Sequence, residues 1–137
     1  MHQRSIQVST SGRGLNLITE EILSAVGSQL PETGLVNIFV HHTSASLTIQ
    51  ENADPMARQD LEQFLERLAP DGEPWHRHTH EGPDDTTSHM KSVLTSTSVV
   101  IPITKSKLAL GTWQGVYLWE HRLEGQTRWL TITVMGA

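Results

Sequence analysis

The sequence predicts an α+β domain with largely antiparallel β-sheets and two main helices. Three observations carry this reading. Residues near both ends alternate apolar and polar with a period of two, two internal stretches repeat apolar residues at helical spacing, and the C-terminal third has no helical period. A chain of 137 residues suits a single domain, 1–137, with one hydrophobic core.

The elements follow in chain order. Residues 4–10 alternate Ile6 and Val8 against Ser5, Gln7 and Ser9, a half-buried strand. Gly12-Arg13-Gly14 turns the chain. A helix follows, with Thr19 as N-cap, Glu20 and Glu21 on the positive end of the helix dipole, and Ile18 placed to staple onto Leu23. Ile22, Leu23, Val26 and Leu30 form its apolar stripe, and Pro31 stops it. Leu35 to His42 is the strongest buried strand, and Ser46 to Gln50 is a second. Asp54-Pro55 opens another helix, since Asp caps and Pro suits the first helical position. Met56, Leu61, Phe64, Leu65 and Leu68 carry its stripe, and Pro70-Asp71-Gly72 ends it. Residues 70–85 have little apolar content and no period, the signature of a functional or disordered loop. A short helical candidate runs from Thr86 to Leu94. Strands are expected at Ser98 to Ile103, Val116 to Arg122 and Thr127 to Met135. The last two read as a hairpin through Leu123-Glu124-Gly125-Gln126.

Composition removes several functional classes. Ten Lys and Arg against fifteen Asp and Glu give a net charge of -5, so the basic footprint of a nucleic-acid binder is absent at chain level. No cysteine means no disulfide framework and no thiol nucleophile. The N-terminus lacks an apolar signal core, and no apolar run reaches transmembrane length. The expectation is a soluble cytoplasmic protein with no nucleic-acid or membrane partner. Walker, dinucleotide-binding, HExxH, nucleophile-elbow and zinc-finger patterns are all missing.

The histidines carry the chemical signal. There are eight: His2, then His41 and His42, then His76, His78 and His80, then His89, then His121. Imidazole is the commonest metal ligand and the side chain that titrates near neutrality. Without cysteine, such a set points to a metal held by nitrogen and oxygen. His41 and His42 are adjacent on a strand and face opposite ways. His76, His78 and His80 would share one face if extended, but three ligands from one short segment are crowded. One or two of them with His42 or His89 is the more usual construction. Asp85 and His89 stand at i,i+4 if the helix reaches back that far, so the carboxylate could orient the imidazole. Alternatively Asp84 or Asp85 caps the helix, worth about 1 kcal/mol. Thr43, Ser44 and Ser46 could bind an anion through hydroxyls and backbone N–H groups, and Lys91 or Arg122 could contact phosphate. Glu120 falls on an otherwise apolar strand face, so it must be paired, at the rim or functional.

Four segments then carry a resemblance. His42-Thr43-Ser44-Ala45-Ser46-Leu47, Glu51-Asn52-Ala53-Asp54-Pro55, the stretch from His78 through Asp84-Asp85 to Ser88-His89-Met90-Lys91-Ser92, and Gly111-Thr112-Trp113-Gln114-Gly115 through Arg122 are similar to the YjbQ family, in the same order over essentially the whole chain. The resemblance implies an α+β fold of antiparallel sheets assembled as a homotrimer, and a polar, His-containing pocket able to hold a metal. It implies a weak thiamine-phosphate synthase activity in a family whose physiological role is open. By motif position it implies His42, His78 and His89 as metal ligands, with Asp84, Asp85 and Glu120 behind them. The resemblance does not extend to His41, His76 and His80 and implies no ligand role for them.

Three functions compete. A synthase would expel diphosphate and needs an anion clamp, usually with a divalent cation; Thr43, Ser44, Lys91 and Arg122 are the candidates. Mg²⁺ would serve such chemistry, yet it prefers oxygen ligands. A hydrolase of a small phosphorylated or carbonyl compound would use zinc or another transition metal, with His89, Asp85 and Glu120 as the catalytic candidates. The third reading is a non-catalytic trimeric module that binds metal or a small ligand.

Overall fold

A computed structural model describes residues 1–137. Its elements are β1 (His2–Ser9), β2 (Gly14–Leu17), α1 (Thr19–Val26), β3 (Thr33–Val40), β4 (Ala45–Glu51), α2 (Pro55–Leu68), α3 (Pro83–Leu94), β5 (Ser98–Thr104), β6 (Lys107–Leu108), β7 (Gln114–Glu120) and β8 (Thr127–Gly136). The strands form two antiparallel sheets, ordered β1-β8-β3-β5-β6 and β2-β7-β4. The α+β class with antiparallel sheets is therefore observed, with three helices rather than two main ones.

The alternation of the sequence explains the layers. Val36, Ile38 and Val40 of β3 face Ile101 and Ile103 of β5 and Leu130, Ile132 and Val134 of β8 on the inner side of the larger sheet. Ala45, Leu47, Val116 and Leu118 face them from the smaller sheet, and Ile18, Ile22 and Val26 close the core. Each fully buried aliphatic side chain contributes about 1.5–3 kcal/mol relative to exposure. The opposite face of the smaller sheet carries Leu15, Tyr117 and Trp119, which pack on Leu65 of α2. The outer face of the larger sheet stays uncovered. Leu35, Phe39, Val100, Trp129 and Met135 are exposed there. No helix is long and apolar enough to cross a membrane.

Local differences from expectation have physical causes. Thr19 does not cap α1. It begins the helix, and its hydroxyl accepts the Val116 backbone N–H at 3.0 Å, tying the helix to β7. The helix ends at Val26, and a 3₁₀ turn over Gly27–Gln29 leads to Pro31. Asp54 caps α2 as expected, its Oδ1 accepting Met56 N–H at 2.9 Å. The expected β7–β8 hairpin is absent, because Leu123–Gln126 carries the chain from one sheet to the other. Between α2 and α3, residues 69–82 form turns pinned from outside. Arg13 Nη1 bonds Asp71 Oδ2 at 2.8 Å, and the Thr87 hydroxyl donates to Asp71 as well.

The third helix begins earlier than the apolar pattern suggests. Pro83 occupies its first turn, and Gly82 precedes it with φ +102°, a left-handed conformation that glycine adopts freely. Asp84 and Asp85 therefore lie inside the helix, and neither caps it. Both are freed for contacts made by their side chains.

Candidate functional site

The first two turns of α3 build the site. Asp85 and His89 stand four residues apart on one helical face, with His89 Nε2 3.5 Å from Asp85 Oδ2. The preceding turn brings His78 to the same carboxylate, with Nε2 2.7 Å from Asp85 Oδ2. One donor atom from each of His78, Asp85 and His89 lies within 4.8 Å of the others. The two imidazole side chains are open to solvent, at 53% for His78 and 38% for His89, whereas the Asp85 side chain is 9% exposed. The cluster has a buried base and an accessible mouth.

His89 and Asp85 are each oriented by a neighbour outside the cluster. His89 Nδ1 lies 2.8 Å from the Thr43 carbonyl oxygen. A carbonyl only accepts, so Nδ1 carries a proton, and Nε2 is the ring nitrogen turned toward Asp85. Arg122 Nη1 bonds Asp85 Oδ1 at 3.2 Å, leaving Oδ2 for the two imidazoles. Arg122 is itself fixed, through Nε to Asp84 Oδ2 at 2.9 Å and through Nη2 to the Glu81 carbonyl at 3.0 Å. The Asp84 hydrogen bond holds the Arg122 guanidinium above its ordinary pKa, outweighing burial. Burial pushes the Asp84 carboxyl up, but hydrogen bonds from Arg122 and the Leu123 N–H carry it below the usual carboxylate range.

The donor set fits a divalent transition metal. Two imidazoles and a carboxylate suit zinc or its neighbours. Tetrahedral donors at bond lengths near 2.1 Å stand about 3.4 Å apart. The His89–Asp85 separation already matches, and the direct His78–Asp85 hydrogen bond would open by under an ångström.

The other candidates lie elsewhere. His42 does not join the cluster. Its Nε2 accepts the Trp129 backbone N–H at 2.8 Å, so the proton is on Nδ1 and the ring has no free lone pair for a metal. Burial first, and then the Arg128 charge, hold its pKa down. Glu120 is completely buried and accepts from Arg128, from the Thr10 hydroxyl at 2.6 Å and from the Arg122 backbone N–H at 3.1 Å. It is the paired carboxylate that its apolar face demands, and no solvent reaches it. Lys91, also fully buried, donates to Glu66 Oε1 at 2.7 Å. Arg122 holds aspartates rather than an anion. Thr43 contributes its carbonyl rather than its hydroxyl, and the Ser44 carbonyl accepts from His121 N–H and Arg128. His41 sits on the outer sheet face with Nε2 2.6 Å from Thr131 Oγ1, and His76 packs edge-on against Trp75.

The sequence reading passes over Arg128. Its signal is present nonetheless: it shares the inward phase of Leu130, Ile132 and Val134, the cation that a buried Glu120 requires. The second omission is the His121–Ser46 pair, with Nε2 2.9 Å from Oγ. It has the spacing of a nucleophile and its base. Both residues are fully buried, however, and burial with Lys91, Arg13 and Arg128 nearby drives His121 down to about 3. An imidazole this acidic, without access to solvent, is a poor base.

Comparison with known proteins places the chain in a family. The chain is 42% identical over 137 residues to the UPF0047 protein YjbQ of Escherichia coli O157:H7, covering 98% of each. It is 45% identical over 135 residues to UPF0047 protein sll1880 of Synechocystis, covering 98% of this chain and 92% of that one. A conserved hypothetical protein of Thermus thermophilus superimposes with a TM-score of 0.83 at 37% identity, over 96% of this chain and 99% of the other. A YjbQ/UPF0047 protein of Clostridium acetobutylicum gives 0.83 at 29% identity, over 98% and 100%. A family model for UPF0047 protein YjbQ-like matches residues 4–137, and the chain belongs to that family.

Proposed function

We propose that His78, Asp85 and His89 hold one divalent transition-metal ion, zinc or a neighbour, and that the site hydrolyses a small carbonyl or phosphorylated compound. The observation that carries this is the two-imidazole, one-carboxylate cluster whose His89 tautomer is fixed by the Thr43 carbonyl. A bound ion of this kind polarises a substrate oxygen and lowers the pKa of water toward 7. The protein's own groups do the positioning. Arg122 turns Asp85 Oδ2 toward the imidazoles, Asp84 holds Arg122, and Thr43 aims His89. Imidazole donors favour a transition metal over Mg²⁺. The thiamine-phosphate synthase activity that the family resemblance implies finds less support here, because Lys91 and Arg122 are spent on carboxylates and leave no clamp for a diphosphate.

The test is metal content by elemental analysis of untagged protein, alone and as His78→Ala, Asp85→Asn and His89→Ala. About one ion per chain, lost in all three variants with folding intact, is expected. No metal after reconstitution with zinc would sink the reading. We also infer a homotrimer, supported by the apolar outer face of the larger sheet. Trp129→Glu is expected to lower the mass measured by light scattering, and an unchanged mass would count against this face as the contact.

A further inference from the structure

The two hydrogen bonds that orient the cluster reach it from different parts of the chain. The Thr43 carbonyl meets His89 from the segment that leads into β4, and Arg122 holds Asp85 from the segment that leaves β7. β4 and β7 are neighbours, with Ala45 opposite Glu120 in their register. Glu120 is fully buried at this crossing and is tied to both segments. Its Oε2 accepts the backbone N–H of Arg122 at 3.1 Å. It also holds Arg128, whose Nε donates to Oε1 at 2.8 Å and whose Nη2 donates to Oε2. The same Nη2 reaches the Ser44 carbonyl at 3.1 Å, one peptide from the carbonyl that His89 meets. The Ser44 carbonyl has one other donor, the His121 N–H at 3.2 Å. Stability alone does not call for this pattern, because well-packed apolar side chains often replace a buried ion pair without loss. The contacts that leave the pair run to the two peptides that carry the orienting groups.

We propose that Glu120 and Arg128 are positioning residues for the metal cluster. Through Ser44 they set the Thr43 carbonyl, and so the ring nitrogen of His89 that carries its proton. Through the Arg122 backbone they set the guanidinium that takes Asp85 Oδ1. The assignment rests on the metal reading above and adds what aims its ligands. Both side chains are buried and meet neither metal nor substrate. A metal-bound imidazole takes its direction from the acceptor on its other ring nitrogen, and losing such a partner typically costs about 10–100-fold in metal affinity. A Ser44 carbonyl that keeps one donor of two belongs at the lower end of that range.

The experiment reads the full-length protein in two ways. Titration with Co²⁺, followed by its visible absorption, gives metal affinity. ¹⁵N NMR of the metal-free protein at about pH 8, where imidazole is ordinarily neutral, locates the His89 ring proton. In the native protein that proton is expected on Nδ1 in a single form. Arg128→Lys keeps a cation beside Glu120 but gives up the arm that reaches Ser44. It is expected to weaken cobalt about tenfold, to alter the cobalt absorption and to mix the two His89 tautomers. Glu120→Gln keeps the size but leaves one acceptor oxygen in place of two, and is expected to do at least as much. Ile22→Val loosens the core from α1, which supplies nothing to the cluster, and is expected to change neither readout. Cobalt affinity unchanged in the folded variants, or an equal loss in Ile22→Val, overturns the positioning role while the metal site stands. So does a native His89 that already mixes both tautomers, a result that needs no variant to fold. Failure of the native protein to take up cobalt overturns the metal reading, and the positioning role with it.

Discussion

Two polar clusters in this molecule use the same three kinds of group and reach opposite ends. At the start of α3, Asp85, Arg122 and the imidazoles of His78 and His89 meet at the surface. Between the sheets, Glu120 pairs with Arg128, and the adjoining imidazole of His121 bonds Ser46. In the first, the arginine takes one carboxylate oxygen and leaves the other to two solvent-exposed imidazoles. In the second, every carboxylate oxygen is occupied and solvent is excluded. Chemistry needs the incomplete cluster, whereas stability needs the complete one. Residue type alone does not separate them; what separates them is which lone pairs remain unspent.

The largest expected effect falls on the buried cluster. Glu120→Ala strands the Arg128 guanidinium in the core and should cost about 3–5 kcal/mol, the usual penalty for removing one partner of a buried pair. Chemical denaturation measures it. A loss below about 1 kcal/mol would mean that Glu120 is not the partner that holds Arg128. His89→Ala should do the reverse. It removes a ligand, so metal affinity should fall by at least about 100-fold, while denaturation of the metal-free protein should shift by no more than about 1 kcal/mol. Equal stability losses in the two variants would erase the distinction between the clusters.

Much of this was legible in the sequence. The Asp54-Pro55 helix start, the alternation of β3 and β8 and the i,i+4 relation of Asp85 to His89 rest on local physics, and local physics survives folding. His42, Lys91 and Arg122 were harder to place because each is decided by a partner distant in sequence. Trp129 is 87 residues from His42, and Arg122 lies 37 residues from Asp85. The start of α3 was also obscured, since Pro83-Asp84-Asp85 contains no apolar residue with which to continue a stripe. Glu120 was the exception. An acid on an apolar face announces a buried cation, and Arg128 was in phase to supply it.

The third effect is a pH dependence specific to the buried cluster. His121 is held at about 3, against an ordinary value of 6.5, by burial and by the charges of Lys91, Arg13 and Arg128. Above pH 6.5 the imidazole is neutral whether the chain is folded or not, and it adds no pH dependence. Below pH 6.5 the unfolded chain takes up a proton that the folded chain refuses. Stability should then fall by roughly 1.4 kcal/mol per pH unit toward pH 3. Asp71 and Asp84, both held below the carboxylate range, add their own loss only as pH drops below about 4. Between pH 6 and 4.5 the slope belongs to His121 together with His42, whose pKa is also held down by burial, so the His121 share is what the variant removes. In His121→Gln, denaturation midpoints across that interval should flatten. An unaltered slope would mean that the histidine is not buried in the neutral form.

The smallest effect bears on His42, which the family resemblance grouped with the ligands. Its Nε2 stands where a strand carbonyl would stand, accepting Trp129 N–H just beyond the end of β3. His42→Ala should therefore cost only about 0.5–1 kcal/mol, since the bond is exposed and water can take the Trp129 N–H, and leave metal content unchanged. His42→Asn, which restores an acceptor but with a shorter reach, should recover part of the stability. The decisive comparison is metal content in His42→Ala beside His89→Ala. If both lose the ion, the Trp129 hydrogen bond must break on metal binding and His42 must swing toward α3. The site would then have three imidazoles, and the mouth described here would be closed by His42. If only His89→Ala loses it, the lone pairs already spent in the fold define the limits of the site. His42 then belongs to the sheet, as Glu120 belongs to the core.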